Sequence, residues 1–245
     1  MFEFPRRKDL NVVLFSSTLG IESSLEEITL KLSEIFRYLL LARVSNLLVV
    51  DDSNGLYKLI KEIHRYALTP PYLKRKIPKK RALSKVGLLA PMNVYYHVVH
   101  RFPVEGEVRI GKNGDFGLKE RLGKEFDTVL ITDSTKMKYV PYQRVYYDGF
   151  QLRKIKLPEV EKMSNVIVGS RSGKDPFLHS EEIRKLYETG GLTLILGPPK
   201  GELIRNLGEK YISRSYNFVP RQGVSDVRVE EALAFSLAVL NSILK

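Results

Sequence analysis

Residues 192–201, LTLILGPPKG, join an apolar run to a loop of glycines and prolines. The run from Leu192 to Leu196 has the length and composition of a strand that is buried on both faces, as in a parallel sheet. Ligands of open α/β sheets bind beyond the carboxyl ends of the strands, and glycine lets the backbone approach a ligand closely. The loop after this strand is therefore a candidate wall of a ligand pocket.

Two other segments repeat this arrangement. Residues 165–169, NVIVG, predict a strand that leads into a polar loop over 170–176, and residues 216–219 predict a strand followed by a loop over 220–228. A single loop of this kind is usually an ordinary turn. Three of them in the last third of the chain predict one pocket. None has the spacing of a Walker phosphate loop or a Rossmann fingerprint, which makes a nucleotide-dependent enzyme the weaker alternative.

The beginning of the chain also has the sequence pattern of alternating strands and helices. Residues 11–15 and 46–50 are short apolar runs that predict buried strands. Between them, residues 23–27, SSLEE, are typical of a helix start, because a hydroxyl can cap the helix and glutamates suit its first turn. Strand, long helix and strand predict a right-handed parallel crossover, and residues 57–66 predict a further helix.

We divide the chain into three segments. Residues 1–84 form the first part of an α/β domain, and residues 159–245 form its second part, which ends in a helix from Val229. Residues 85–158 contain short alternating runs and many glycines, a pattern that favours an inserted small β-barrel similar to the oligonucleotide-binding (OB) type.

Composition limits the class of protein. The 245-residue chain has no cysteine, and its four histidines form no zinc pattern, so we expect no metal site. No apolar run reaches the ~18 residues of a membrane helix, and the N-terminus lacks the apolar core of a secretory signal. We therefore expect a cytoplasmic protein with no membrane contact.

The net charge of +12 is clustered, which indicates a nucleic-acid partner. The densest cluster, residues 74–81, follows two prolines and contains a third, so we expect it in a loop rather than on a helix. Two smaller clusters are residues 6–8 and 153–156. The alternative for each is a solvated charge run. The predicted RNA-binding residues are Lys74, Arg75, Lys76, Lys79, Lys80 and Arg81.

Several motifs, taken in order, resemble one family. The chain is similar to the archaeal and eukaryotic SPOUT-class methyltransferases that carry an inserted β-barrel and are associated with RNA uridine-N3 methylation. The matching residues are Ile35-Phe36-Arg37, Ala42-Arg43-Val44, Tyr72-Leu73-Lys74-Arg75, Gly87-Leu88-Leu89-Ala90-Pro91, Leu196-Gly197-Pro198-Pro199-Lys200-Gly201, Gln222-Gly223 and Arg228-Val229-Glu230-Glu231-Ala232. The chain departs from the family at Val229, where threonine is usual, and so loses a hydroxyl that could cap the last helix.

The resemblance implies a deep trefoil knot in the last third, S-adenosylmethionine held in a bent form by the knotted loops, and a homodimer with the site near the interface. The residues expected to bind the cofactor are Ser170, Leu196, Gly197, Pro198, Lys200, Gly201, Val219, Pro220, Gln222, Gly223, Arg228 and Ala232.

The expected reaction is attack of a base nitrogen of ribosomal RNA on the methyl group of the cofactor. Uridine N3 must lose a proton, so the site needs a base or a charge that stabilises the anion. The candidate catalytic residues are Arg37, Arg228 and Glu230. Arg37 could instead form a structural salt bridge, and Glu230 could only complement the helix N-terminus. A non-catalytic RNA-binding or ribosome-assembly protein is the main alternative function.

Overall fold

The computed structural model of the protein describes residues 2–53, 55–123, 125–198 and 208–245, which contain a six-stranded sheet. Its strands are β1 (Leu10–Phe15), β2 (Asn46–Val50), β6 (Gln151–Ile155), β7 (Val166–Lys174), β8 (Leu192–Ile195) and β9 (Ser215–Tyr216). Their order is β6-β2-β1-β8-β7-β9, and every pairing is parallel. The carboxyl ends of all six strands therefore lie along one edge.

Both faces of the sheet are buried. Alternate side chains of β1 enter different cores, with Val12 on one face and Val13 on the other. This explains why its sequence is continuously apolar rather than alternating. The strands predicted over 11–15, 46–50 and 192–196 are confirmed to within one residue.

Helices cover the sheet unequally. In the described residues the helices are α1 (Leu25–Leu41), α2 (Leu56–Ala67), α3 (Leu157–Glu161), α4 (Ser180–Gly190), α5 (Glu209–Ile212) and α6 (Val229–Ile243). One core holds buried residues of α1, α2, α4 and α6, and the other holds Val160 of α3 and Tyr211 of α5. Short 3-10 helices in the described part of the chain lie at Ser16–Leu19, Pro71–Lys76, Arg81–Leu83, Val86–Leu88 and Tyr95–His97.

The start of α1 follows the predicted capping pattern. The Glu27 backbone N–H donates to Ser24 Oγ at 3.2 Å, and the Glu27 carboxylate accepts from the Ser24 N–H at 3.3 Å. These reciprocal bonds satisfy donors that the first turn of a helix would otherwise leave free. The helix predicted from residues 23–27 is thus confirmed.

The strand after residue 165 is longer than predicted. The sequence predicts a loop over 170–176, but β7 continues to Lys174. Gly169 and Lys174 both pair with Tyr216 of β9, so residues 170–173 bulge out of the ladder. The polar composition of these residues suits a bulge, because they pair with no neighbouring strand.

The middle segment contains a separate three-stranded antiparallel sheet. Its strands are β3 (Val108–Ile110), β4 (Thr128–Asp133) and β5 (Lys138–Pro141), in that order. The predicted segment of 85–158 also includes β6, which instead pairs with β2 of the parallel sheet. Leu152 and Ile155 pack into the two large cores, and this burial holds β6 there.

The predicted knot depends on the path of residues 199–207, which lie outside the described residues. No helix in the described part of the chain is long and apolar enough to cross a membrane.

Candidate functional site

A cavity of about 700 Å³ opens at the carboxyl ends of β7, β8 and β9 and beside the start of α6. All three predicted loops contribute to its lining. The expected cofactor residues that line it are Ser170, Leu196, Gly197, Pro198, Val219, Gln222, Arg228 and Ala232. Residues that are far apart in the sequence therefore share one wall because parallel strands end at the same edge.

Four expected cofactor residues are not among the described residues of the lining. Pro220 and Gly223 lie in the same loop as Gln222 but outside the lining. Lys200 and Gly201 fall outside the described residues.

Hydrogen bonds tie the bulge of β7 to the loop after β9. The Asn217 amide donates to the Arg171 carbonyl oxygen at 2.9 Å, and the Arg171 guanidinium donates to the Ser225 carbonyl oxygen at 3.1 Å. The Gln222 amide donates to the carbonyl oxygens of Val224 and Ser225 at 2.8 and 3.1 Å. These side chains hold the two loops around the cavity without a regular strand pairing.

The lining combines apolar and charged groups. Leu196, Phe218 and Ala232 provide apolar surface, while Arg171 and Arg228 provide positive charge. Asp226 is the one carboxylate among the described lining residues. It accepts a hydrogen bond from the Ser225 hydroxyl at 3.1 Å.

Arg171, Asn217 and Asp226 were not singled out in the sequence, although they lie in or beside the predicted loops. They line the cavity because hydrogen bonds hold the bulge of β7 against the loop after β9. The one signal available was their position after predicted strands.

Val229, where the similar family usually has threonine, lies at the start of α6. Arg228 is the N-cap residue, so Val229 is the first helical residue and a hydroxyl there would not occupy the capping position. The Glu231 carboxylate instead accepts the Arg228 backbone N–H at 2.8 Å. The Val229 side chain lines the cavity.

Glu230 points away from the cavity into a buried ionic cluster. It is 5% exposed, and its Oε2 lies 3.3 Å from Lys31 Nζ, which also contacts Glu22 Oε1 at 2.6 Å. Its Oε1 lies 3.9 Å from the Arg228 guanidinium. The cluster joins α1 to the first turn of α6, so the geometry supports a structural role for Glu230, and its catalytic role stays a prediction.

Removing the cation of this cluster should destabilise the protein strongly. We expect Lys31→Met to lower the free energy of unfolding by about 3–5 kcal/mol, because it leaves the Glu230 carboxylate buried without its partner. Urea unfolding followed by circular dichroism measures the change. Lys31→Arg keeps the charge and is the control, and Lys31→Met/Glu230→Gln should recover part of the loss. A Lys31→Met protein as stable as the parent would show that the cluster carries little free energy.

Arg37 also lies away from the cavity. Its guanidinium donates to the Met92 carbonyl oxygen at 2.9 Å and thereby fastens the segment before the middle sheet to α1. Within the described residues it forms no salt bridge, so the alternative of a structural ion pair is replaced by a hydrogen bond to the backbone.

Several cations of the dense basic cluster at residues 74–81 are paired with other residues of the protein. Residues 71–76 form a 3-10 helix rather than an open loop. Lys76 and Arg75 both contact the Asp115 carboxylate, and Lys80 Nζ lies 2.6 Å from Glu62 Oε1. The Lys74 ammonium lies 4.7 Å from the centre of the Tyr66 ring, and its burial lowers its pKa from the usual value. Lys79 and Arg81 are exposed and form no salt bridge with the described residues.

No protein-family model matches the chain, and no curated protein matches it either.

Proposed function

We propose that the protein is a cytoplasmic, S-adenosylmethionine-dependent RNA methyltransferase of the SPOUT class, with a knotted last third and an OB-like inserted barrel. One observation carries the proposal. Residues from all three loops that were expected to bind the cofactor line a single cavity at the carboxyl edge of a parallel sheet.

The lining fits the chemistry of S-adenosylmethionine. The cavity of about 700 Å³ lies within the usual range for small-molecule sites. Leu196, Phe218 and Ala232 offer apolar walls that suit an adenine ring. The Gln222 side-chain oxygen and the loop backbone offer groups for hydroxyls, and Arg171 suits a carboxylate.

The proposed roles in the reaction divide among the lining residues. When bound, the cofactor supplies an electrophilic methyl group. Asp226 would accept the proton of the target base, since it is the one carboxylate among the described lining residues. Arg228 would stabilise negative charge that develops on the base. The cavity walls would orient the reacting groups, which can supply much of the rate enhancement.

Mass spectrometry of nucleosides tests this function. Unmodified ribosomal RNA would be incubated with the protein and S-adenosylmethionine and then digested. The expected product is methyluridine with the methyl group on N3, and omission of the protein is the control. Unchanged nucleosides in every RNA fraction would count against the proposal.

We also propose a homodimer that uses the face formed by α1 and α6. Phe235 of α6 and Leu30 of α1 are 54% and 48% exposed, although these two helices pack against each other. Burying such side chains would favour association. Light scattering should give the mass of two chains for the parent protein and of one chain for Phe235→Asp. A parent protein that scatters as a single chain at micromolar concentration would rule out a stable dimer.

A further inference from the structure

The outer face of α2 carries three cations that the sequence clusters do not include. Lys58, Lys61 and Arg65 are exposed and spaced three and four residues apart, which puts them on one side of the helix. At the rise of an α-helix they extend over roughly 10 Å. Within the described residues none of the three forms a salt bridge.

The basic segment after α2 continues this face. The 3-10 helix Arg81–Leu83 follows directly on Lys80, and Leu83 is buried in the same core as Ile60 and Ile63 of α2. Lys80 contacts Glu62, the one acidic residue of α2. The hydrogen bond from Lys80 is the main cause that lowers the pKa of the Glu62 carboxyl, and the positive charges of Lys80, Arg65 and Lys61 lower it further. We call this set the α2 basic surface: Lys58, Lys61, Arg65, Lys79, Lys80 and Arg81.

We infer that the α2 basic surface binds the phosphate backbone of RNA that flanks the target nucleotide. Like charges three or four residues apart destabilise a helix, and a polyanion would remove that repulsion. The inference rests on the proposed function, because it assigns a second contact area to the same RNA. Phosphate contacts of this kind fix register and orientation without reading sequence.

The composition of the surface favours a polynucleotide over a membrane. Peripheral membrane helices place large apolar side chains beside their cations. Among the described residues, no exposed large apolar side chain lies on α2 or between residues 74 and 81. The nearby cluster at residues 153–156 adds little, since Lys154 is paired with Asp51 at 2.6 Å and Arg153 belongs to the opposite side of the edge strand from Lys154.

The distance between the α2 basic surface and the cavity determines how long an RNA must be to contact both. α2 lies beside β6 and β2, whereas the cavity lies at β8, β7 and β9. Neighbouring strands are about 4.8 Å apart, so β6 and β8 are separated by roughly 14 Å. A strand whose target base enters the cavity would need several flanking nucleotides to reach α2.

The experiment compares two variants of equal charge. One carries Lys58→Gln, Lys61→Gln and Arg65→Gln, and glutamine preserves helix propensity. The control carries Lys162→Gln, Lys185→Gln and Lys245→Gln, three exposed lysines outside both the cavity and the α2 basic surface. The probe is a labelled single-stranded RNA of mixed sequence, titrated at several salt concentrations.

The α2 variant should bind this RNA about tenfold or more weakly than the control at low salt. The slope of log affinity against log salt should flatten by about 2, as expected for three lost phosphate contacts. Equal slopes for the two variants would overturn the inference. Loss of binding to phosphatidylserine vesicles, with RNA binding unchanged, would also overturn it in favour of a membrane.

Calorimetric titration of S-adenosylmethionine into the same preparations tests the proposed function separately from RNA binding by the α2 basic surface. Cofactor binding by all proteins, together with an unchanged RNA slope, would reject the α2 basic surface alone. No cofactor binding by the parent protein would reject the proposed function, whatever the RNA slope.

Discussion

Replacing Asp226 by asparagine should lower the rate of RNA methylation by about 10²–10⁴-fold, the usual contribution of a general base. Asp226 is the carboxylate among the described residues that line the cavity, and its loop is held there by Arg171 and Gln222. Asparagine keeps the shape but cannot accept the proton of the base. The affinity for S-adenosylmethionine should change little.

Single-turnover transfer of a tritiated methyl group to unmodified ribosomal RNA measures this effect. The rate of Asp226→Asn should rise with pH, because the uridine then loses its proton to solvent. A change that only disturbed the fold would not produce that recovery. Glu181→Gln, on the exposed surface of α4, is the control. Equal rates for Asp226→Asn and the parent would remove Asp226 from the mechanism.

Replacing Ala232 by tryptophan should raise the dissociation constant for S-adenosylmethionine by about a hundredfold or more, equivalent to roughly 2.7 kcal/mol. Ala232 lies on α6 with its side chain against the cavity, so an indole there would occupy space meant for the ligand. Ala238→Trp places the same side chain at an exposed position of the same helix and is the matched control.

Calorimetry measures the affinity, and circular dichroism checks that both tryptophan variants keep their helices. We expect Ala238→Trp to bind like the parent. If Ala232→Trp also binds like the parent, the cofactor site lies outside this cavity.

The elements that were predicted correctly are those whose patterns are local. β1, β2 and β8 are continuously apolar because both faces of the sheet are covered, and α1 begins at a capping box. The pairing of β6 with β2 could not be predicted, since its sequence, QLRKI, has only two apolar residues and lacks the apolar run of the other long strands of the parallel sheet. Nothing local distinguishes an edge strand of the main sheet from a strand of the middle segment.

The position of the cavity was predictable from the loops, but the contacts of the candidate catalytic residues were not. Arg37 and Glu230 were assigned from their motifs, and each contacts a group that is distant in sequence, Met92 and Lys31 respectively. Asp226 lies in a predicted loop, yet only its place on the cavity wall distinguishes it from other loop aspartates. Long-range contacts therefore decide which polar residues line the cavity.

The contacts of the basic residues were also not predictable from the sequence. The densest run of cations was predicted to be free for RNA, but Asp115 and Glu62 engage three of its members. The cations of α2 are separated by two or three other residues in the sequence and become neighbours only on the helix.

Calorimetric titration of S-adenosylmethionine into the parent protein tests the central claim, that the cavity at the carboxyl edge of β7, β8 and β9 is a cofactor site. The expected result is saturable binding with one molecule per chain, abolished in Ala232→Trp and retained in Ala238→Trp. A folded parent protein that shows no saturable binding of S-adenosylmethionine would contradict the claim.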